Sequence, residues 1–538
     1  MKNLMLAAAV CSLAVPAIAS EPATREEAQL KAHVAFLASD EMRGRDTGSH
    51  EYDIAAQYVA ARFLELGLKP AGAKGSYLQP VPLLASKLTD KGTVTLTGAK
   101  GDVPLTFGED FVLSPSVREA VYKADAQLVF AGFGVVAPEF KRNDYAGIDV
   151  KGKIVVVLAG APKNFPAEER AHYGSGGTKA LAAEARGALA VISVETPTRA
   201  KVRPMSSYVK DWDDERMVWR QPDGKGFVLG GSTPVLGVVS LKGAEKLFAG
   251  FPGGAAAVMK AAEGKTGATR SGPLKIGARV TIDSAIRNAE SSNVAGLLEG
   301  SDPALKAETV VLSAHLDHIG VSEAVNGDTI NNGAMDNAMG TGSMIEVARR
   351  FVEGGIKPKR SILFLAVTGE EKGLVGADYF ARNPTIAREA MVANVNLDMP
   401  VLTYDFQDVI AFGAEHSALG PIVREAAAGM GVTLSPDPVP EQGIFTRSDH
   451  YRFVQQGVPS VFLVTGYAGP GKAANEEFEE KHYHKPSDQL DLPIDWKAGA
   501  KFIALNTAIT RALADAPERP RWNKGDFFGL LYNGVGAR

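Results

Sequence analysis

Val310-Val311-Leu312-Ser313-Ala314-His315-Leu316-Asp317-His318-Ile319-Gly320 reads as a buried strand running into a cluster of metal-ligating side chains. The design recurs downstream. Ile362–Val367 is followed, after Thr368 and Gly369, by Glu370-Glu371. Val392–Leu397, apolar except for Asn394 and Asn396, ends in Asp398, and Val461–Val464 is a further apolar run. Asn337–Phe351 has helical spacing, with Met344, Ile345, Ala348, Phe351 and Val352 on one face and Gly354-Gly355 closing it. Lys497–Ala514 predicts a closing helix. Apolar runs separated by helices predict an α/β fold, a mostly parallel sheet with helices on both faces.

In open α/β sheets, ligands bind beyond the C-terminal ends of the strands. His315, Glu371 and Asp398 would all arrive at that edge. Asp336, in GAMDN at 333–337, opens the helix after the first strand, and His484 lies in a late loop, HYHKPSD at 482–488. Singly, each has a plain explanation. His-x-Asp is a common hydrogen-bonded pair, Asp336 and Asp398 could cap helices, Glu370-Glu371 could be solvated, and His484 could be an ordinary loop histidine. Together, four carboxylates and two histidines at successive element ends make a desolvated negative cluster that only cations can compensate. Two divalent ions can share a bridging carboxylate, for which Asp336 is placed, each ion taking one histidine and one further carboxylate. Asp317, two residues from His315, is a candidate to orient that imidazole. Adjacent Glu370 and Glu371 point apart if extended, so one can bind metal while the other accepts a proton. A histidine and carboxylate set without thiolate suits two Zn²⁺, with Co²⁺ or Mn²⁺ as alternatives.

The chain of 538 residues is long enough for two or three domains. With 58 basic and 62 acidic residues, a net charge of −4 and no basic run, it excludes nucleic acid as a partner. Lys2, the apolar Leu4–Val15 and the small-x-small Ala17-Ile18-Ala19 read as a signal peptide over 1–19. That run falls short of the ~20 apolar residues of a membrane helix, so no stable membrane insertion is expected. The single cysteine, Cys11, lies inside it behind Val10, which disfavours lipid attachment. A mature chain without cysteine forms no disulfide, and export on those terms points to a bacterial periplasm or exterior. Residues 20–118 read as the N-terminal part of a catalytic domain, with helices over Ala32–Ala38 and Tyr52–Leu66. Residues 119–285 read as a β-rich insertion with short strands at Ala126–Phe130, Ile154–Leu158, Ala190–Val194 and Val235–Val239. Residues 286–538 hold the metal-binding core. Tyr173–Lys179 ends Gly-Gly-Thr-Lys rather than Gly-Lys-Thr, so it reads as a helix start and not a phosphate loop.

The motifs SAHLDH at 313–318, GAMDN at 333–337, GEEKGLVGA at 369–377, NLDM at 396–399 and HYHKPSD at 482–488 resemble, in order and separation, those of the co-catalytic zinc aminopeptidases of metallopeptidase family 28. That family also includes glutamate carboxypeptidase, glutaminyl cyclase and the transferrin receptor. The resemblance implies that His315 and Asp398 hold one zinc and Glu371 and His484 the other, with Asp336 between and Glu370 as the base. Tyr483 is similar to a tyrosine that stabilises the oxyanion in several members; its plainer role is packing. FLASDEMRGRDTGS at 36–49 resembles such enzymes too, and NDYAGIDVKGKIVVVL at 143–158 resembles a protease-associated domain. The implied activity is a secreted exopeptidase that hydrolyses N-terminal residues from peptides, with Glu370 taking a proton from water activated by the metal pair. A carboxypeptidase or dipeptidase is the alternative, with Arg447 and Arg452 as candidate carboxylate binders. Glutaminyl cyclase fits less, given the full metal set and the long insertion. A non-catalytic receptor-like protein would lack ligands, and none is missing. Ser448-Asp449 reads as a helix N-cap in preference to a substrate contact. Met399 and Phe445–Asp449 are candidates for a side-chain pocket. His318, His416, His450 and His482 read as structural or surface histidines. The sequence leaves the oligomeric state open.

Overall fold

The computed structural model describes residues 21–99 and 101–538, and the leader expected at 1–19 lies outside them. Two helices, α1 (Arg25–Leu37) and α2 (His50–Glu65), open the described chain. Thr24 and Ser49 cap them by accepting the N–H of Glu27 and of Tyr52, a match between short hydroxyl side chains and unpaired first-turn donors. Their apolar faces, Leu30, Val34 and Leu37 on one and Tyr52, Val59 and Phe63 on the other, are fully buried.

Strand β1 (Leu78–Leu88) follows, and the chain then leaves the main sheet. It returns on β2 (Gly272–Leu298), a strand of 27 residues that pairs antiparallel with β1 from Ser284↔Leu88 to Val294↔Leu78. The excursion forms a second lobe with its own core, in which Phe248 and Phe251 pack edge-on to Phe130. The first half of β2 belongs to this lobe, paired with Thr93–Thr97 and Val121–Phe130. Parallel strands Ile154–Leu158, Ala190–Val194 and Val235–Val239 extend its sheet, and helix α3 (Ala167–Gly174) projects from it. The lobe begins ahead of residue 119, where the sequence texture changes. Thr93–Thr97 is already part of it, but only Val94 and Leu96 face its core, so the strand looks half polar in the sequence.

The second half of β2 rejoins the main sheet. There β3 (Thr309–His315), β4 (Ser361–Val367), β5 (Met391–Leu397) and β6 (Ser460–Thr465) lie in the order β4-β3-β5-β6, all parallel. Every residue of β3, β4 and β5 is buried, as strands covered on both faces must be. Antiparallel neighbours flank them, β2 beside β4 and Asp408–Phe412 beside β6. The sheet as a whole is therefore mixed, with a parallel centre of four strands. Helix α4 (Met339–Glu353) follows β3, the short α5 (His450–Val454) precedes β6, and α6 (Trp496–Asp515) closes the fold. Helices α1, α4 and α6 pack on one another over one face. Val375–Arg382 and α5 cover the other. Among the described residues no helix is long and apolar enough to cross a membrane.

Candidate metal centre

The parallel strands end at one edge of the sheet, and the acidic and imidazole side chains collect there. His315 ends β3 beside Val367, the last residue of β4. Gly369, at φ 67°, then turns the chain back so that Glu370 and Glu371 lie over the same edge. Asp398 follows β5 directly.

Asp336 does not open a regular helix. It sits in a turn over 334–338, ahead of α4, with φ −111° and ψ 88°. Side chains from distant segments set that turn. Asp488 accepts the N–H of Met335 at 2.8 Å and of Asp336 at 3.0 Å. Asn337 donates to the carbonyl of Leu397 at 3.0 Å and accepts the N–H of Met399 at 3.2 Å, tying the turn to the end of β5. The wholly buried Arg45 donates to the carbonyls of Leu37, Leu316, Asn332 and Gly333. The sequence assigns no role to Arg45, Asn337 or Asp488, because each acts on main-chain groups and no spacing rule marks such contacts.

His315 Nε2 lies 2.9 Å from Asp398 Oδ1 and 3.2 Å from Asp336 Oδ1. His484 Nε2 lies 3.1 Å from Glu371 Oε2 and 3.3 Å from Asp336 Oδ2. Asp336 thus offers one oxygen to each group. A single imidazole N–H cannot serve two carboxylates well. Tetrahedral zinc with bonds of about 2.0–2.2 Å separates its ligand atoms by about 3.4 Å, close to all four distances. The donor set fits a metal cation.

His318, set aside in the sequence, joins the second group. It is fully buried, with Nδ1 2.7 Å from Glu371 Oε1 and 3.9 Å from Asp336 Oδ2. Its Nε2 has no hydrogen-bond partner among the described residues. Its only signal was its position three residues after His315. Asp317 orients His315 differently from the expectation. The ring Nδ1 meets the Asp317 main-chain carbonyl at 3.1 Å. The Asp317 carboxylate instead accepts the N–H of Glu370 at 3.2 Å, the N–H of Glu371 at 3.3 Å and the hydroxyl of Thr47 at 3.0 Å.

The two adjacent glutamates are driven apart electrostatically. Burial, with Asp398, Glu371 and Asp449 nearby, pushes the Glu370 carboxyl well up against the pull of His315. Burial and Asp336 also push Glu371 up, but His484 and His318 outweigh them and hold it at about 2. Tyr483 stacks on His484, with ring centroids 3.9 Å apart and planes 28° from parallel.

Ser448 and Asp449 do not cap α5. Ser448 Oγ donates to Asp398 Oδ2 at 2.5 Å and accepts from Asn396 at 2.7 Å. Asp449 is fully buried, and neither of its oxygens has a hydrogen-bond partner among the described residues. Buried carboxylates nearby leave the Ser448 hydroxyl a stronger acceptor than the first turn of α5 leaves it donors. Arg452 donates to the carbonyl of Gly373 at 3.1 Å, which commits it to the turn after Glu371, whereas Arg447 is exposed.

A parallel α/β core whose edge gathers histidines and carboxylates around one shared aspartate defines a domain that could hold metal. Residues 293–510 match the family model of Peptidase family M28. A Leptosphaeria maculans protein named "Probable zinc metalloprotease" is 27% identical over 260 residues, 43% of this chain and 59% of its own length. A "Probable glutamate carboxypeptidase" of Arabidopsis thaliana is 26% identical over 375 residues, 64% of this chain and 47% of its own. The chain thus spans about half the length of the curated relatives it matches. The fold is similar to the solved structure of an aminopeptidase from Aneurinibacillus sp. strain AM-1, at 18% identity and a TM-score of 0.51, over 92% of this chain and 95% of that one.

Proposed function

We propose that the chain is an exported zinc aminopeptidase that releases N-terminal residues from peptides and holds two zinc ions. The observation that carries this reading is Asp336, with Oδ1 facing His315 and Oδ2 facing His484. His315 and Asp398 would hold one ion and Glu371 and His484 the other, with Asp336 bridging. His484 is preferred to His318 as the ligand because it meets Asp336 at 3.3 Å against 3.9 Å. Bound there, zinc supplies Lewis-acid polarisation of the scissile carbonyl and of a water.

Glu370 is the carboxylate left to move protons. Burial raises its carboxyl, the direction that general-base work requires. It takes a proton from the attacking water and delivers it to the leaving amine. The Asp317 carboxylate fixes its main chain, and Tyr483 is placed on His484 to donate its phenol to the oxyanion. The second lobe is read as a protease-associated domain, and residues 1–19 as the leader that sends the chain to a bacterial periplasm or exterior.

A carboxypeptidase or dipeptidase is the second reading, favoured by the exposed Arg447, whose charge reaches Tyr483. Aminoacyl chromogenic amides and N-acylated dipeptides, assayed with and without a chelator, separate the two. Hydrolysis of the amides, lost on chelation and restored by zinc, is expected. Hydrolysis of the N-acylated dipeptides alone would replace the first reading by the second.

A further inference from the structure

Helix α3 of the second lobe reaches the main core at one place. His172 Nδ1 lies 2.7 Å from the Tyr451 hydroxyl, with the rings of Phe527 and Phe528 edge-on to it. Arg170 donates to the carbonyl of Pro440 at 3.0 Å. Glu168 accepts the N–H of Gly413 at 3.3 Å and pairs with His416, whose ring lies 5.7 Å from that of Phe445. These contacts seat, or border, a single segment, 439–454.

That segment touches the metal edge twice. Ser448 donates to Asp398 at 2.5 Å, and Arg452 donates to the carbonyl of Gly373, two residues past Glu371. It consists of two 3₁₀ turns and the five-residue α5. Pieces this short have no helical cooperativity of their own, so their placement comes from what they touch. The buried Tyr451 hydroxyl also requires a partner, and the lobe supplies the nearer of two, His172 at 2.7 Å against Tyr532 at 3.5 Å. A passive spacer would need only its attachment through β1 and β2.

We propose that α3 is a positioning element for the metal centre. The second lobe, through His172 and Arg170, holds segment 439–454 so that Ser448 keeps Asp398 aimed and Arg452 keeps the Glu370-Glu371 turn in place. Neither His172 nor Arg170 touches the reacting atoms. The inference rests on the peptidase reading only where activity is measured.

The test uses the full chain carrying His172→Phe, which keeps the ring and loses the hydrogen bond, Arg170→Ala, and Arg170→Lys as the conservative variant. Hydrogen exchange over 440–456, zinc affinity, kcat and KM are measured. His172→Phe and Arg170→Ala should raise exchange in that segment above the rest of the chain. Both should lower zinc affinity and kcat by about tenfold, the lower range for groups that orient metal ligands, with KM nearly constant. Arg170→Lys should recover most of each. Unchanged exchange in 440–456, or a loosened segment with unaltered zinc affinity, overturns the proposal. If the wild type hydrolyses no peptide, the peptidase reading falls, while exchange and zinc affinity still decide this one. If His172→Phe does not fold, the Arg170 pair carries the same comparison.

Discussion

The carboxylate of Asp488 accepts the main-chain N–H of Asp336 at 3.0 Å, across 152 residues of chain. Its other oxygen accepts the N–H of Met335 at 2.8 Å. An amide in its place would offer one acceptor and turn a donor toward the second N–H. Asp488→Asn should therefore loosen the turn that aims Asp336 and weaken zinc binding by about 10–100-fold. Competition against a chelator measures this; an unaltered affinity would show that the turn sets itself.

Glu370 and Glu371 are neighbours with opposite proposed duties. Glu370→Ala should lower kcat by about 10²–10⁴-fold and leave the bound zinc in place. Glu371→Ala should lose zinc first and activity with it. Metal analysis beside steady-state kinetics distinguishes them, and a Glu370→Ala enzyme with full turnover would remove the base.

His318 and His484 compete for the second ligand position. His484→Ala should release one equivalent of zinc, whereas His318→Ala should keep both equivalents and bind one of them more weakly. The reverse pattern would make His318 the ligand and leave His484 as the residue that orients Glu371.

The contact between the lobes should have a pH optimum. Burial pulls His416 down, but its hydrogen bonds to Asp526 and Glu168 prevail and raise it to about 10. Its contribution is full below an unfolded pKa of about 6.5 and is lost as pH rises toward the folded value. Burial lowers His172 to about 4. Its contribution is full above about 6.5 and is lost as pH falls through the folded value. Thermal unfolding of His416→Gln against wild type should show the largest deficit below about pH 6.5 and little by about pH 10. A deficit independent of pH would assign His416 a packing role alone.

The candidate cluster was legible because the chemistry is carried by side chains and a parallel sheet delivers its strand ends to one edge. His315, Asp336, Glu371, Asp398 and His484 could be gathered on that rule, and the structure brings them together. The residues that aim them could not. Asp488 and Asn337 speak to main-chain N–H and C=O groups, and Arg45 to carbonyls nearly 300 residues away. Ser448 reads as a cap because a serine ahead of a helix has a local acceptor role available, and the sequence shows no sign of the distant Asp398 that takes its hydrogen bond instead. The lobe boundary was displaced for a similar reason: a strand with one wet face carries a weak hydrophobic signal.

Leu88 and Ser284 face one another as antiparallel partners, so the chain departs for the second lobe and comes back at points only about 5 Å apart. A two-residue hairpin turn bridges such a gap. The lobe is an excursion clipped onto a hairpin, and it sends one strand of its own, Arg216–Trp219, back to pair with β1 at Leu83–Ser86. Removing it would leave the candidate ligands at their own strand ends, but would unclasp both the seat of segment 439–454 and the hydrogen bond from Trp219 to Asp378, which makes the lobe a place to tune the centre from outside it.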